Sequence, residues 1–211
     1  MYNPKYIQNP EDILLKIVGF EKFSLIERYI HLIEEWNKKI NLVSRKNKKS
    51  DIQWLIIDSL GITQHLEQNN IIYDIGTGAG LPGIPLAILT EIKSIYLVDV
   101  TQKKIDFLNY TIKDLKLPIN VLRKDCRELY IKNSSNVVFI AKAVANCKKL
   151  LSICYLSIKN VPSLKIILLK GPSYKNEIIE ARKYFKFKLE VFSNIHKYES
   201  IILVITDISK L

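Results

Sequence analysis

Short apolar runs alternate with amphipathic segments along most of the chain. Runs rich in β-branched residues predict strands at 71–75, 95–99, 120–122, 137–140, 165–169, 188–192 and 200–206. Helical spacing of apolar positions predicts helices at 84–90, 103–115, 148–158 and 176–184. Such alternation is typical of a parallel sheet covered by helices on both faces. The last two strands have no helix between them, so we expect an antiparallel hairpin at the sheet edge.

The N-terminal part of the chain follows a helical pattern instead. A short helix is predicted between Glu11 and Gly19. A longer one is predicted to begin at Ser24, because Ser24 and Glu27 fit the S-x-x-E capping box and apolar residues follow at helical spacing. A third helix is predicted at 51–67. We therefore divide the chain into a helical appendage and an α/β domain, at residues 1–70 and 71–211.

Composition and charge narrow the picture only in part. The 211 residues suffice for one substantial domain with an appendage. No apolar run reaches the roughly 18 residues of a membrane span and the N-terminus lacks a secretory signal, so we expect a cytoplasmic protein with no membrane contact. The net charge of +11 favours polyanionic partners such as nucleic acid. A general bias toward Lys, Ile and Asn codons would produce the same excess.

Cysteine and histidine positions give no sign of a metal or of disulfides. Cys126, Cys147 and Cys154 form an odd set without CxxC spacing, which argues against a disulfide framework and a structural zinc site. The three histidines also lack metal-ligand spacing. We therefore expect buried, reduced cysteines and no metal.

Four of the seven glycines fall within one loop, Asp74-Ile-Gly-Thr-Gly-Ala-Gly-Leu-Pro-Gly-Ile-Pro85. The loop follows a predicted strand and precedes a helix, where glycine lets the backbone turn sharply and approach a ligand closely. Asp99 ends the next strand, from which a carboxylate can accept both ribose hydroxyls. The loop also contains G-x-G-x-x-G, the pattern of dinucleotide sites.

Two nucleotide cofactors fit this loop, and Asp74 distinguishes them. A dinucleotide places its pyrophosphate at the helix N-terminus, where a carboxylate just before the loop would repel it. The same carboxylate would attract the amino group of a methionine moiety. The pattern therefore favours S-adenosylmethionine, bound by Asp74, Gly76, Gly78, Gly80 and Asp99. A dinucleotide-dependent oxidoreductase stays as the disfavoured alternative.

A basic run with one tryptophan on each side follows the longer N-terminal helix. Its residues are Lys38, Lys39, Arg45, Lys46, Lys48 and Lys49. A solvated surface and a phosphate-binding surface are both consistent with it. Lys170 follows the fifth predicted strand at the carboxyl edge of the sheet, where open α/β sheets place ligands. We name Lys38, Lys46, Lys48, Lys49 and Lys170 as candidate RNA contacts, and we expect Trp36 to pack its helix.

Several segments together resemble the RsmG family, also called GidB, the bacterial 16S ribosomal RNA guanine-N7 methyltransferases. The resemblance runs from about Tyr29 to Thr206. Its most specific parts are Trp36-Asn-Lys-Lys-Ile-Asn-Leu42, Asp58-Ser-Leu60, the loop from Asp74 to Leu86, and Leu168-Leu-Lys-Gly171. The segment Leu-Pro-Gly-Ile-Pro within the loop is far more specific to this family than the general glycine-loop pattern of methyltransferases.

The resemblance implies a Rossmann-like class I methyltransferase fold and S-adenosylmethionine-dependent methylation of N7 of a guanine in small-subunit ribosomal RNA. It also implies that Gly76 and Leu81 line the cofactor pocket and that Asp99 holds the ribose. Cys126 and Arg127 follow the third strand, where the family's adenine contacts lie. The implied partner is 16S ribosomal RNA or the small subunit, and we expect a monomer.

Three positions depart from the family pattern. Lys142 stands in Ala-Lys-Ala, where relatives have arginine, and we expect it to contact the cofactor or the RNA. Relatives carry Arg-His at Trp54-Leu55 and Glu-Arg-His at Glu199-Ser200-Ile201. Two alternatives follow: a methyltransferase acting on protein or a small molecule, and an RNA-binding module with reduced activity.

No catalytic residue is expected for this reaction. Guanine N7 carries an in-plane lone pair and no proton, so it is already a nucleophile. Methyl transfer from a sulfonium needs alignment at about 3–3.5 Å and exclusion of water. It needs no general base.

Overall fold

The computed structural model describes residues 9–131, 136–158, 161, 164–194 and 200–211. Two N-terminal helices come first, and most of the strands that follow are separated by helices. In chain order they are α1 (Pro10–Asn37), α2 (Lys49–Leu60), β1 (Ile71–Ile75), α3 (Gly83–Leu89), β2 (Ile95–Asp99), α4 (Gln102–Asp114), β3 (Asn120–Arg123), β4 (Val137–Lys142), α5 (Cys147–Ile158), β5 (Lys165–Lys170), α6 (Tyr174–Ala181), β6 (Phe185–Ser193) and β7 (Ile201–Lys210).

The strands form one seven-stranded sheet in the order β3-β2-β1-β4-β5-β7-β6. The first five strands pair in parallel, and β7 pairs antiparallel with both β5 and β6. The sequence prediction of a mostly parallel sheet with an antiparallel edge hairpin is confirmed. The register places Asp74 of β1 beside Leu97 of β2 and Ile140 of β4, so the carboxyl ends of the central strands meet at one edge.

Hydrophobic cores lie on both faces of the sheet. The inner strands β4 and β5 are buried almost continuously, as expected for strands covered on both sides. One core contains Ile30 of α1 and Ile56 of α2 together with residues of α3 and α4. The other contains residues of α5 and α6. The N-terminal helices therefore share one core with the α/β part of the chain.

Helix α1 differs from the sequence prediction in how it is interrupted. Gly19 has φ 75° and ψ 163°, so the helix breaks for one residue and resumes at once. The capping box predicted at Ser24 is wrong, because Ser24 Oγ donates to the carbonyl of Glu21 one turn back. The helix is capped at its start by Asn9, whose side chain accepts from the amide of Glu11. Trp36 packs its ring against α4, as predicted.

Candidate functional site

The glycine loop, residues 76–82, turns sharply between β1 and α3. Gly76, Gly78 and Gly80 have φ values of 64°, 59° and 90°, a left-handed conformation that glycine adopts at little cost. A Cβ at Gly76 would lie 2.8 Å from Val144 Cγ1, and one at Gly80 would lie 2.4 Å from Ile84 Cδ1. At Gly78 the nearest atom of a described residue, the carbonyl oxygen of Gly76, is 3.8 Å away. The loop is thus packed at Gly76 and Gly80 and open at Gly78.

Asp74 lies fully buried beneath this loop. Its Oδ2 accepts hydrogen bonds from Thr77 Oγ1 at 2.6 Å and from the amide of Gly83 at 2.8 Å. Its Oδ1 is buried with no hydrogen-bond partner among the described residues. Burial raises the pKa of Asp74 to about 7. One oxygen therefore ties the loop to the start of α3, while the other is left for a donor to satisfy.

Asp99 reaches the same loop from the end of β2. Its Oδ2 accepts from the amide of Gly78 at 3.1 Å, and its Oδ1 accepts from the amide of Thr101 at 2.9 Å. The ammonium of Lys104 lies 3.6 Å from Oδ2. The two predicted acids, Asp74 and Asp99, thus contact one loop: Asp74 through Thr77 and Gly83, and Asp99 through Gly78.

Sequence reasoning missed a contact that supports the loop from the N-terminal helices. The hydroxyl of Tyr29, on α1, donates to the carbonyl of Ala79 at 2.6 Å. Tyr29 is completely buried, and burial raises its pKa well above the ordinary value. A buried tyrosine needs a partner for its hydroxyl, but the sequence does not show which one.

Three residues assigned to the cofactor by resemblance occupy different surroundings. Leu81 is buried in the hydrophobic core. Cys126 is buried too, with its sulfur 3.5 Å from that of Cys154. Arg127 is exposed and forms a two-pronged contact with Asp125, which holds the pKa of that carboxyl at about 2. Their roles toward a cofactor stay predictions.

Lys142, at the end of β4, points its ammonium into α2. The ammonium lies 2.6 Å from the carbonyl of Leu55, 2.8 Å from Asp58 Oδ2 and 3.3 Å from Ser59 Oγ. Asp58 Oδ1 accepts from Ser200 Oγ and from Asn194 Nδ2. Asp58 therefore joins α2 to β4 and to the residues that flank β6 and β7. The sequence offered two signals for it, an acid among the apolar residues of a helix and the Asp58-Ser-Leu60 segment of the family resemblance.

Lys170, at the end of β5, also has partners within the protein. Its ammonium lies 2.6 Å from the carbonyl of Ala145 and 2.7 Å from Glu177 Oε2. A cavity of about 550 Å³ opens at this edge, lined by both lysine–carboxylate pairs and by Val144. A second cavity, of about 660 Å³, lies at the opposite end of β4 and β5, away from the glycine loop.

The basic run lies mostly in the segment that connects α1 to α2. Lys38, Lys46 and Lys48 are exposed, whereas the ammonium of Lys49 lies 2.5 Å from Glu27 Oε2. Asn37 Oδ1 accepts from the amides of residues 42 and 43, which fixes the start of the connection. Three of the four lysines predicted in this run thus present an ammonium group that forms no ion pair with a described residue.

The part of the chain that the structure describes contains no helix long and apolar enough to cross a membrane. The same residues include no group of three or more acidic, cysteine or histidine side chains placed to hold a metal ion.

Solved methyltransferase structures share this fold. Magnesium protoporphyrin IX methyltransferase (ChlM) from Synechocystis PCC 6803, solved with bound SAM, is 16% identical and matches 97% of this chain and 99% of that one, with a TM-score of 0.53. M. jannaschii TYW2 in complex with AdoMet is 17% identical, matches 82% of this chain and 80% of that one, and has a TM-score of 0.51. The predicted Rossmann-like class I methyltransferase fold is confirmed.

Sequence relatives are closer. Ribosomal RNA small subunit methyltransferase G of Clostridium tetani is 35% identical over 79% of this chain and 72% of the relative. The protein of that name from Chlorobium phaeobacteroides is 34% identical over 84% and 78%. The family model GidB, rRNA small subunit methyltransferase G, matches residues 22–202. The chain therefore belongs to the GidB family of rRNA small subunit methyltransferase G proteins.

Proposed function

We propose that this protein transfers the methyl group of S-adenosylmethionine to N7 of one guanine in 16S ribosomal RNA. The observation that carries the proposal is the match of residues 22–202 to the GidB family, with the glycine loop and both acids in place. Methylation of a protein or small molecule is disfavoured, because the relatives at 34–35% identity are named for ribosomal RNA.

The residues around the glycine loop fit the cofactor. Gly78 faces open space, so a ligand can approach the backbone there. Asp99 lies beside Gly78, and its Oδ1, which accepts only from the amide of Thr101, would have a lone pair left to accept from a ribose hydroxyl. The buried, unpartnered Oδ1 of Asp74 would accept from the ammonium of the methionine moiety. When bound, S-adenosylmethionine supplies a methyl group on a positively charged sulfur.

Methyl transfer to N7 requires little of the protein beyond correct placement of the base and the cofactor. The N7 lone pair forms the new bond to carbon as the carbon–sulfur bond breaks, and no proton moves. A positively charged base and a neutral thioether result. The work left to this chain is to hold the base in line with the methyl group and to exclude water, and the reaction requires no general base.

Exposed lysines on the connection between α1 and α2 would hold the RNA through its phosphates. Lys38, Lys46 and Lys48 supply point charges, which suit phosphate, whereas bidentate reading of a base favours arginine. We take the substrate to be 16S RNA or the small subunit and the enzyme to act as a monomer in the cytoplasm.

Mapping N7-methylguanine in 16S RNA tests the proposal. Ribosomal RNA from cells lacking this protein should lose one N7-methylguanine, and purified protein with S-adenosylmethionine should restore it. An unchanged methylation map would contradict the proposed activity.

A further inference from the structure

Both purines carry N7, so a guanine-N7 methyltransferase must also reject adenine. The two bases differ on the opposite, Watson–Crick edge. Guanine presents two donors there, N1–H and the N2 amino group, whereas adenine presents a lone pair at N1. A fixed acceptor at that edge would therefore distinguish them, since adenine would leave it unpaired.

The cavity between the carboxyl ends of β4 and β5 lies directly beside the cofactor loop. Val144 lines this cavity, and its side chain fills the space that a Cβ on Gly76 would need. The preceding residue, Ala143, has φ 55°, a conformation rare for residues other than glycine and often found at functional sites. Val144 thus separates the glycine loop from a cavity large enough for a nucleobase.

Two carboxylates line this cavity, and only one has an oxygen to spare. Both oxygens of Asp58 are occupied, by Ser200 and Asn194 on one side and by Lys142 on the other. Glu177, on α6, uses only Oε2, which accepts from Lys170 and from the amide of Cys147 at 2.9 Å. The thiol of Cys147 also interacts with this carboxylate, whereas neither the Lys170 ammonium nor the Cys147 amide bonds to Oε1, which leaves Oε1 as the less engaged oxygen.

The side chain of Glu177 is 23% exposed and lines the cavity. Burial opposes its ionisation, but the Lys170 ammonium and the Cys147 amide hold the pKa of Glu177 below its ordinary value. It is therefore a charged acceptor at neutral pH. The Lys170 ammonium and the Cys147 amide, which both donate to Oε2, hold the carboxylate in position.

We infer that Glu177 is the specificity-determining residue that accepts from N1–H and N2–H of the target guanine, with the base seated in this cavity and N7 facing the glycine loop. The inference rests on the proposed function. Hydrogen bonds to charged groups are stronger than those between neutral groups, so loss of this contact should reduce the preference of the enzyme for guanine over other bases.

Glu177→Gln is the most informative variant because the orientation of the glutamine side-chain amide is fixed by its neighbours. Lys170 and the Cys147 amide are both donors, so the amide oxygen of the glutamine must take the place of Oε2. The NH₂ group then faces the cavity, where it opposes guanine N1–H and matches adenine N1. Glu180→Gln is the matched control, because Glu180 lies on the same helix and its carboxylate contacts Lys183 at the surface.

The assay uses small subunits reconstituted with guanine, inosine or adenine at the mapped target position, and measures transfer of labelled methyl. The wild-type enzyme should favour guanine over inosine by about tenfold and over adenine by about 10⁴-fold. Glu177→Gln should lower the rate on guanine by about 30- to 100-fold, shrink both ratios and leave cofactor affinity unchanged. Glu180→Gln should behave as wild type.

Each outcome decides a different question. No methylation by the wild-type enzyme on any subunit would overturn the proposed function itself. Methylation of guanine, with both ratios unchanged in Glu177→Gln, would overturn the inference alone. If the variant fails to fold, the wild-type series still decides, because equal rates on guanine and adenine would exclude an acceptor at that edge.

Discussion

The ammonium of Lys142 lies 2.8 Å from Asp58 Oδ2, and only 10% and 7% of the two side chains are exposed. The pair joins the end of β4 to α2, which are far apart in the chain. Because both charges are withdrawn from water, each depends on the other to offset its lost hydration. This contact fixes the N-terminal helices against the edge of the sheet where the proposed base cavity opens.

Replacing Lys142 with methionine should destabilise the fold by about 3 kcal/mol or more, because Asp58 would become a buried carboxylate without a cation. Urea denaturation measures the change. The matched control is Asp114→Ala, which breaks the exposed contact between Arg28 and Asp114 at 2.8 Å and should cost less than about 1 kcal/mol. Similar losses in the two variants would show that the Lys142–Asp58 pair is effectively solvated.

Substitutions of glycine should separate the cofactor surface from the rest of the loop. Gly78→Ala adds a methyl group in open space at φ 59°, so it should reduce S-adenosylmethionine affinity more than tenfold at a stability cost of about 1–2 kcal/mol. Gly76→Val should abolish binding, because its side chain would collide with Val144.

The control for both variants is Gly171→Ala. Gly171 has no atom of a described residue within 4 Å of an added Cβ, and its φ lies outside the left-handed range. Calorimetry should show unchanged cofactor affinity for this variant. Full affinity in Gly78→Ala would move the cofactor away from this part of the loop.

The buried carboxyl of Asp74 makes stability depend on pH. Its pKa is raised from 3.8 to about 7 by burial, so the folded protein holds the proton more tightly than the unfolded chain does. The stability that this group contributes is complete below about pH 4 and is lost as the pH rises to about 7. The loss is on the order of 4 kcal/mol. Asp74→Asn should remove this part of the pH dependence in urea titrations.

Cofactor binding should be linked to the same proton. An ammonium at Oδ1 favours the ionised carboxylate, so binding below pH 7 should release up to one proton and tighten as the pH rises. Calorimetry in buffers with different heats of ionisation measures the release. Asp74→Asn should show none; the same release in that variant would assign the proton to another group.

RNA binding should weaken with salt because lysines contact phosphate. The slope of log affinity against log salt should be about −0.7 to −0.9 per neutralised phosphate. Changing Lys38, Lys46 and Lys48 together to glutamine should flatten the slope and leave cofactor affinity unchanged. Lys49 is best left intact, because it pairs with Glu27.

The matched control neutralises three exposed lysines that form no ion pair with a described residue, namely Lys93 just before β2, Lys186 at the start of β6 and Lys210 at the end of β7. These lie at the amino edge of the sheet, opposite the glycine loop. Their loss should change the salt slope much less. If the two triple variants behave alike, the α1–α2 connection contributes only general charge.

Local patterns predicted most of the fold because strands and turns depend on neighbouring residues. The run from Ile71 to Ile75 forms a strand over the predicted residues. The clustered glycines mark the loop, since only glycine tolerates its backbone angles. The capping box predicted at Ser24 was wrong because Gly19 interrupts the helix for one residue without ending it. Packing of α1 against the core stabilises the helix on both sides of Gly19, so Ser24 lies inside the helix and not at its start.

Partners across the chain could not be predicted. Lys142 occupies the position of a family arginine, but the sequence does not indicate that its ammonium contacts residues more than 80 positions earlier. Nothing near Tyr29 in the sequence indicates that its hydroxyl supports the glycine loop. Glu177 reads as one of several charges on an amphipathic helix. These roles depend on which elements pack against each other, and the hydrophobic periodicity of one segment does not show which other segment it will contact.

The position of β7 within the sheet has a consequence for how the protein is made. Strand β6 pairs with β7 and is separated from β5 by it. During vectorial synthesis, β6 therefore leaves the ribosome with no sheet edge to join until residues 201–210 follow it. Asp58 likewise has no hydrogen bond from Ser200 until that residue, which lies just before β7, has been synthesised. Strand β7 thus completes both the seven-stranded sheet and the network beside the proposed base cavity, so a nascent chain reaches its finished site only after this strand has emerged.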